Sequence, residues 1–220
     1  MSTVLENIFN AILDGAQHQV TSEIETALNA GIDPASILNK GMIAAMAEVG
    51  RRFEIGDFFV PEMLISARAM QAGLAVLRPR LEQSGVKTHG KVVIGTVKGD
   101  LHDIGKNLVS MMLEGSGYEI KDLGTDVPVE AFVNAIRTEK ADILALSALL
   151  TTTMTSMQLT IEAVQAAGLR NQVKIMIGGA PVTEDYARKI GADGYSPDAS
   201  RAVGVAESLL IHKIVEKPKL

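Results

Sequence analysis

The sequence has no cysteine and no tryptophan, and among its 220 residues only four histidines, three tyrosines and five phenylalanines. Without cysteine there is no disulfide framework, no thiolate zinc or iron–sulfur site and no thiol nucleophile. Any metal must therefore be held by histidine, carboxylate or backbone oxygen. Long hydrophobic runs are missing as well. Apolar stretches such as 143–150 fall well short of the roughly 20 residues that a membrane span needs, and nothing near the N-terminus resembles a signal peptide. Positive charge is not in excess. A formal net charge of −5 argues against a partner that is nucleic acid or an anionic membrane, since both are bound through dense Lys and Arg. What is present is ordinary globular composition, enough for one large or two small domains in a protein expected to be cytoplasmic.

Through residues 2–83 the apolar positions recur at helical spacing. Leu5, Ile8, Phe9 and Ile12 form one stripe, and Val20, Ile24, Ala27 and Leu28 a second. Gly31 is placed to end the second helix, and Asp33 followed by Pro34 supplies a cap and a first-turn proline for a third over about 35–53. A fourth pattern starts at Pro61 and places Leu64, Ala67, Met70, Leu74, Leu77 and Leu81 three or four apart, with Pro79 expected to end or kink it. The expectation is a four-helix bundle over residues 1–85.

After a polar segment at 83–90 the pattern changes to short apolar runs alternating with helical ones. Strands are expected near 92–97, 119–123, 143–147, 174–177 and 194–196, and helices near 104–116, 129–139, 154–167, 182–190 and 199–213. Five βα units with right-handed crossovers make a doubly wound, Rossmann-like (flavodoxin-like) parallel sheet over 90–214. The commoner strand order, 2-1-3-4-5, puts a ligand crevice at the carboxyl ends of the first and third strands.

The densest cluster of chemically capable residues falls in that crevice. After the first strand come Asp100, Leu101, His102, Asp103, Ile104 and Gly105, a carboxylate two residues ahead of an imidazole. Taken alone, this is also what a βα turn looks like when an aspartate caps the helix and the histidine faces water. Other features gather at the same sheet edge, however. Ser147, Leu149, Thr151 and Thr153 follow the third strand, and Gly178 and Gly179 end the fourth.

Asp-x-His-x-x-Gly, then Ser147-Ala148-Leu149, then Gly178-Gly179, separated by residues 106–146 and 150–177, resembles the cobalamin-binding fingerprint. Glu48-Val49-Gly50, Phe53-Glu54-Ile55-Gly56 and Phe58-Phe59-Val60-Pro61-Glu62 are similar to the helical cap that precedes the cobalamin domain in methionine synthase and in small corrinoid proteins of methyltransferase systems. The chain has no counterpart of the catalytic domains of methionine synthase.

The resemblance implies cobalamin or a related corrinoid bound with its lower base displaced, His102 as the lower cobalt ligand and sole metal-binding residue, Asp100 as the carboxylate behind it, and Thr153 as a hydroxyl relay. Methionine synthase has serine at the relay position. Leu101, Asp103, Ile104, Gly105, Ser147, Leu149, Thr151, Gly178 and Gly179 would line the slot for the displaced base, with Tyr195 and Ala199 at its far edge. Phe59, Val60 and Met63 match the segment of the cap that covers the corrin; of the adjacent phenylalanines, Phe59 is expected to reach outward. Segment 83–90 would be the hinge. The implied function is a methyl carrier that does not catalyse alone. A substrate-specific methyltransferase would charge it, a second one using tetrahydrofolate or coenzyme M would discharge it, and a reductive activation protein would maintain it. A cobalamin sensor or storage module is the alternative. His18, His89 and His212 lack partners of this kind and are expected at the surface.

Overall fold

A computed structural model describes residues 3–84 and 88–215. The chain divides into two compact units, Met1–Thr88 with Gly115–Gly117, and His89–Glu114 with Tyr118–Leu220. Positions 85–87 of the expected hinge lie outside the described residues.

The first unit is helical: α1 (Thr3–Leu13), α2 (Gln17–Asn29), α3 (Pro34–Ser36), a π-helical segment at Ile37–Ile43, α4 (Ala44–Glu54) and α5 (Val60–Ser84). Its interior is built from the expected stripes, with Ile8, Ile12, Val20, Ile24, Met42, Met46, Val49 and Leu77 inaccessible to water. Asp33 caps α3 as its position suggests, accepting the Ser36 amide at 3.0 Å, and Pro34 fills the first turn, where no amide is needed. Two features depart from expectation. The third helix is not uniform, because 37–43 runs in wider π turns whose buried residues are Ile37, Leu38, Gly41 and Met42. Pro79 also does not end α5, which continues to Ser84. Proline removes the bond to the carbonyl of Ala75, but both residues are exposed, so water can satisfy that oxygen while buried Leu77 holds the turn.

The second unit alternates strands and helices: β1 (Lys91–Thr96), α6 (Ile104–Gly115), β2 (Glu119–Asp122), α7 (Val129–Glu139), β3 (Ile143–Ser147), α8 (Met154–Ala166), β4 (Lys174–Gly178), α9 (Glu184–Ile190), β5 (Gly194–Ser196) and α10 (Ala199–Val215). All pairings are parallel and the order is β2-β1-β3-β4-β5, as the alternation predicts. The period of two divides each central strand between two cores. Val93, Leu144, Leu146, Ile175 and Ile177 pack with Phe132, Met157, Ile161 and Val164 on one face. Val92, Ile94, Ile143, Ala145 and Met176 pack with Leu113, Ala202, Ala206 and Leu209 on the other. Strands covered on both faces account for the nearly unbroken apolar runs of β1, β3 and β4. Among the described residues, no helix is long and apolar enough to cross a membrane.

Candidate functional site

Register sets the floor of the site. At the carboxyl edge of the sheet, Thr96 pairs with Ser147, Ser147 with Gly178 and Gly178 with Ser196, a row of small or hydroxylated residues across four strands. The chain leaves β1 through Val97, whose amide donates to the Ser147 carbonyl at 3.0 Å, and turns at Gly99, which has φ +87°. This turn drives Asp100 inward. Its side chain is fully buried, while the side chain of His102 is half exposed.

A buried carboxylate must be hydrogen-bonded, and Asp100 is bonded on every side. Its Oδ1 accepts the His102 amide at 3.1 Å and lies 2.6 Å from His102 Nδ1. Its Oδ2 accepts the amides of Leu149 at 2.8 Å and Leu150 at 3.3 Å, and lies 2.7 Å from Thr153 Oγ1. Burial pushes the carboxyl up. The Thr153 hydroxyl, His102 and the Leu149 amide together outweigh that and hold it well below the ordinary carboxylate range. An ionised Asp100 can only accept, so the proton at the 2.6 Å contact belongs to His102 Nδ1. Nε2, on the far side of the ring from the carboxylate, is then the nitrogen left to meet a ligand, and in the neutral imidazole it is the acceptor.

The sequence therefore brings together Asp100, His102 and Thr153 from two loops, with Leu149 contributing its amide. Around them Leu101 and Ile104 are about three-quarters exposed, and Leu149 and Leu150 about two-fifths, an apolar group at the sheet edge. A side chain at Gly105 would meet nothing within 4 Å, so the start of α6 is open beside His102. Asp103 is exposed and accepts Asn107 Nδ2 at 3.1 Å, and Thr151 is also exposed.

Some expected binding residues have other surroundings. A Cβ on Gly179, at φ +133°, would lie 1.9 Å from the Ala148 carbonyl oxygen, and one on Gly178 would lie 3.0 Å from that of Ser196. Gly179 is thus required by the protein's own backbone, and Gly178 is tightly packed against it. Tyr195 packs against the core below the sheet, and Ala199 is buried. In the helical unit, Phe59 and Val60 are exposed at the start of α5, whereas Met63, expected beside them, is 1% exposed and belongs to the interior. Met63 opens the stripe that Ala67, Met70 and Leu77 continue at helical spacing, the side of α5 buried in the helical core. His18 and His89 are exposed, and His89 rests edge-on against Tyr118 with ring centroids 5.8 Å apart.

Three contributors escaped the sequence reading. Thr96 is buried and donates its hydroxyl to the His102 carbonyl at 2.8 Å. Asp126 accepts the Gly99 amide at 2.8 Å and Lys98 Nζ at 3.0 Å, and its own amide donates to the Asp100 carbonyl at 2.9 Å. Lys106 is buried and bonds Asp122 and the Asn107 Oδ1, tying the start of α6 to the end of β2. The available signal was position alone: Asp126 lies at the carboxyl end of β2, on the same edge as the motif. Among the described residues no group of three or more His, Asp or Glu is arranged to hold a bare metal ion. A metal held here through His102 must bring most of its ligands with it.

Two family models match the chain, both described as B12 binding domains, one over residues 90–204 and the other over 4–78. Trimethylamine corrinoid protein 1 of Methanosarcina acetivorans is 45% identical over 204 residues, covering 92% of this chain and 94% of its own. The dimethylamine corrinoid protein of Methanosarcina barkeri is 43% identical over 209 residues, covering 94% and 97%. A chain of the methanol:cobalamin methyltransferase complex of Methanosarcina barkeri superposes with a TM-score of 0.85 at 32% identity, covering 96% of this chain and 80% of that one. A cobalamin-binding protein from Desulfitobacterium hafniense DCB-2 does so with a TM-score of 0.78 at 34% identity, covering 93% and 98%.

Proposed function

The chain belongs to the B12-binding corrinoid proteins, and from that membership we propose that it is the methyl-carrying subunit of a methyltransferase system, with His102 as the lower cobalt ligand. One observation carries the site assignment: a fully buried, clamped carboxylate holds Nδ1 of a half-exposed histidine and leaves Nε2 with a lone pair at the carboxyl edge of the sheet. The surroundings fit a corrinoid. A corrin brings four nitrogens to its cobalt, so a single imidazole suffices from the protein. The exposed side chains of Leu101, Ile104, Leu149 and Leu150 offer apolar surface to a flat macrocycle, and Gly105 leaves room for the displaced base.

When bound, the corrinoid supplies a cobalt that accepts a methyl group in its reduced state and releases it to a nucleophile. The chain's part is to orient and tune. His102 donates from Nδ1 to Asp100 and presents Nε2. Asp100, kept ionised, fixes the orientation and tautomer of that imidazole. Thr153 Oγ1 lies 2.7 Å from Asp100 and 2.8 Å from the Leu150 carbonyl; its single proton can be given to either, so the hydroxyl can follow changes of charge on the pair.

The partner that charges the carrier is a methyltransferase. Its donor is inferred to be a methylated amine, supported by the trimethylamine and dimethylamine corrinoid proteins to which the chain is 45% and 43% identical. Discharge by a second methyltransferase, with tetrahydrofolate or coenzyme M as acceptor, and upkeep by a reductive activation protein complete the proposed cycle. The test is to reconstitute the protein with cobalamin, reduce it, and add a methyltransferase with trimethylamine, dimethylamine or methanol. The expected result is a methylcobalt spectrum with an amine and its loss on adding the acceptor enzyme. A protein that binds cobalamin but is never methylated would point instead to storage or sensing.

A further inference from the structure

The loop that carries His102 is held from two sides. On one side, the Leu149, Leu150 and Thr153 donors grip the Asp100 carboxylate. On the other, beside single bonds from the Thr96 hydroxyl to the His102 carbonyl and from the Ser156 hydroxyl to the Lys98 carbonyl, several contacts come from one residue of the β2–α7 loop, Asp126. Its Oδ1 accepts the Gly99 amide at 2.8 Å, its Oδ2 accepts Lys98 Nζ at 3.0 Å, and its amide donates to the Asp100 carbonyl at 2.9 Å. Three successive residues of the His102 loop are thus fixed by one. The next residue continues the join, since the Val127 amide donates to Thr96 at 3.0 Å and Val97 forms a parallel bridge with Val127.

Asp126 is itself in an unusual conformation. It has φ +53°, in the left-handed region, which few residues with a Cβ adopt, though aspartate does so more readily than most. Only one other described non-glycine residue, Lys140, does so, and Lys140 closes a helix. Asp126 closes none. A residue held in a disfavoured conformation, with both carboxylate oxygens and its amide directed at one loop, is spent on that loop's geometry.

Resting on the reading of His102 as the cobalt ligand, we infer that Asp126 is the positioning residue of the ligand loop: it sets the height and orientation at which Asp100 presents His102, and so the fraction of bound corrinoid that the histidine coordinates. Lys98 is secondary, an exposed partner whose ion pair is screened.

The experiment uses full-length protein reconstituted with cobalamin and reduced to the cobalt(II) state. Electron paramagnetic resonance resolves nuclear splitting from an axial nitrogen. Labelling the histidines with nitrogen-15 separates His102 from the cofactor's own base, by changing a triplet to a doublet. D126G is the informative variant, because glycine keeps the positive φ while the carboxylate is removed. It is expected to lower the ratio of histidine-coordinated to uncoordinated cobalt about tenfold, the effect of losing a charge-assisted hydrogen bond. D126N retains an oxygen acceptor for the Gly99 amide and is expected to restore most of the ratio, and K98M to leave it unchanged. The melting temperature of each variant without cofactor separates loss of positioning from loss of folding. A wild-type ratio in D126G, with coordination lost in H102A, overturns the inference and spares the ligand assignment. A doublet that survives in H102A overturns both.

Discussion

A carboxylate with five hydrogen-bond contacts, among them those from Leu149, Leu150 and Thr153, tolerates little change. Asparagine has nearly the same shape as aspartate, but one of its two terminal atoms donates. In Asp100→Asn either the histidine loses its acceptor or the Leu149 and Leu150 amides face an NH2 group. We expect histidine coordination of cobalt to weaken by about ten- to a hundredfold, read as the axial-ligand signature of the reduced cofactor, with a lowered melting temperature in the cofactor-free protein. Gly179 answers to the backbone alone. With a Cβ 1.9 Å from the Ala148 oxygen and φ at +133°, Gly179→Ala should destabilise the protein by about 2–4 kcal/mol in urea unfolding. At this scale the sequence was legible where a residue type carries chemistry, as at Asp100, His102 and Thr153. It was opaque where a role depends on what the chain brings alongside. Asp126 and Thr96 have ordinary side chains, and nothing in their sequence neighbours announces that they bond the motif's loop, Asp126 from the loop after β2 and Thr96 from the end of β1.

The elements were read from their periodicity, and that succeeds where a face is buried. All five strands and the five helices between and after them lie where alternation and helical stripes place them, to within two residues at most boundaries. It fails where packing overrides local grammar. A π turn shifts the buried face by part of a turn without changing the kinds of residue used, so 37–43 reads as ordinary helix. Pro79 reads as a stop but is solvent-exposed, so Pro79→Ala should restore one backbone bond and stabilise the helical unit by about 1–3 kcal/mol in thermal or urea unfolding. The end of α4 carries a pH dependence. Hydrogen bonds from Arg51 and then Arg52 lower the Glu48 carboxyl from 4.5 to about 2. A group depressed in the folded state stabilises above its unfolded pKa and loses that contribution as the pH falls through the folded one. Acid unfolding curves of Glu48→Gln and the parent should therefore converge between pH 4.5 and 2, the parent losing its advantage in that window.

At the scale of the molecule, two units with separate cores imply separate responses to ligand. The residues proposed to hold the corrinoid in the described Asp100–Gly105 and Ser147–Thr153 loops belong to the second unit. Binding of a ligand at 100 times its dissociation constant adds about 2.7 kcal/mol to whatever unfolds with the site. Calorimetry of the cofactor-free protein is expected to show two transitions, of which cobalamin raises the one belonging to residues 89–220. A single transition raised as a whole would mean that the units unfold as one.

One of the sheet's two outer strands, β2, has a consequence of a different kind. β2 is only Glu119, Ile120, Lys121 and Asp122, with three charges in four residues, and Lys91 of the neighbouring strand pairs with Glu119 at 2.7 Å. A free strand edge is a template on which another chain can add, and short length and charge are what discourage it. Self-association by such an edge would remove a methyl shuttle from circulation between its enzymes. The four residues of β2 thus guard against aggregation, and replacing Glu119 and Lys121 by valine would turn a well-behaved shuttle into a seed for its own precipitation.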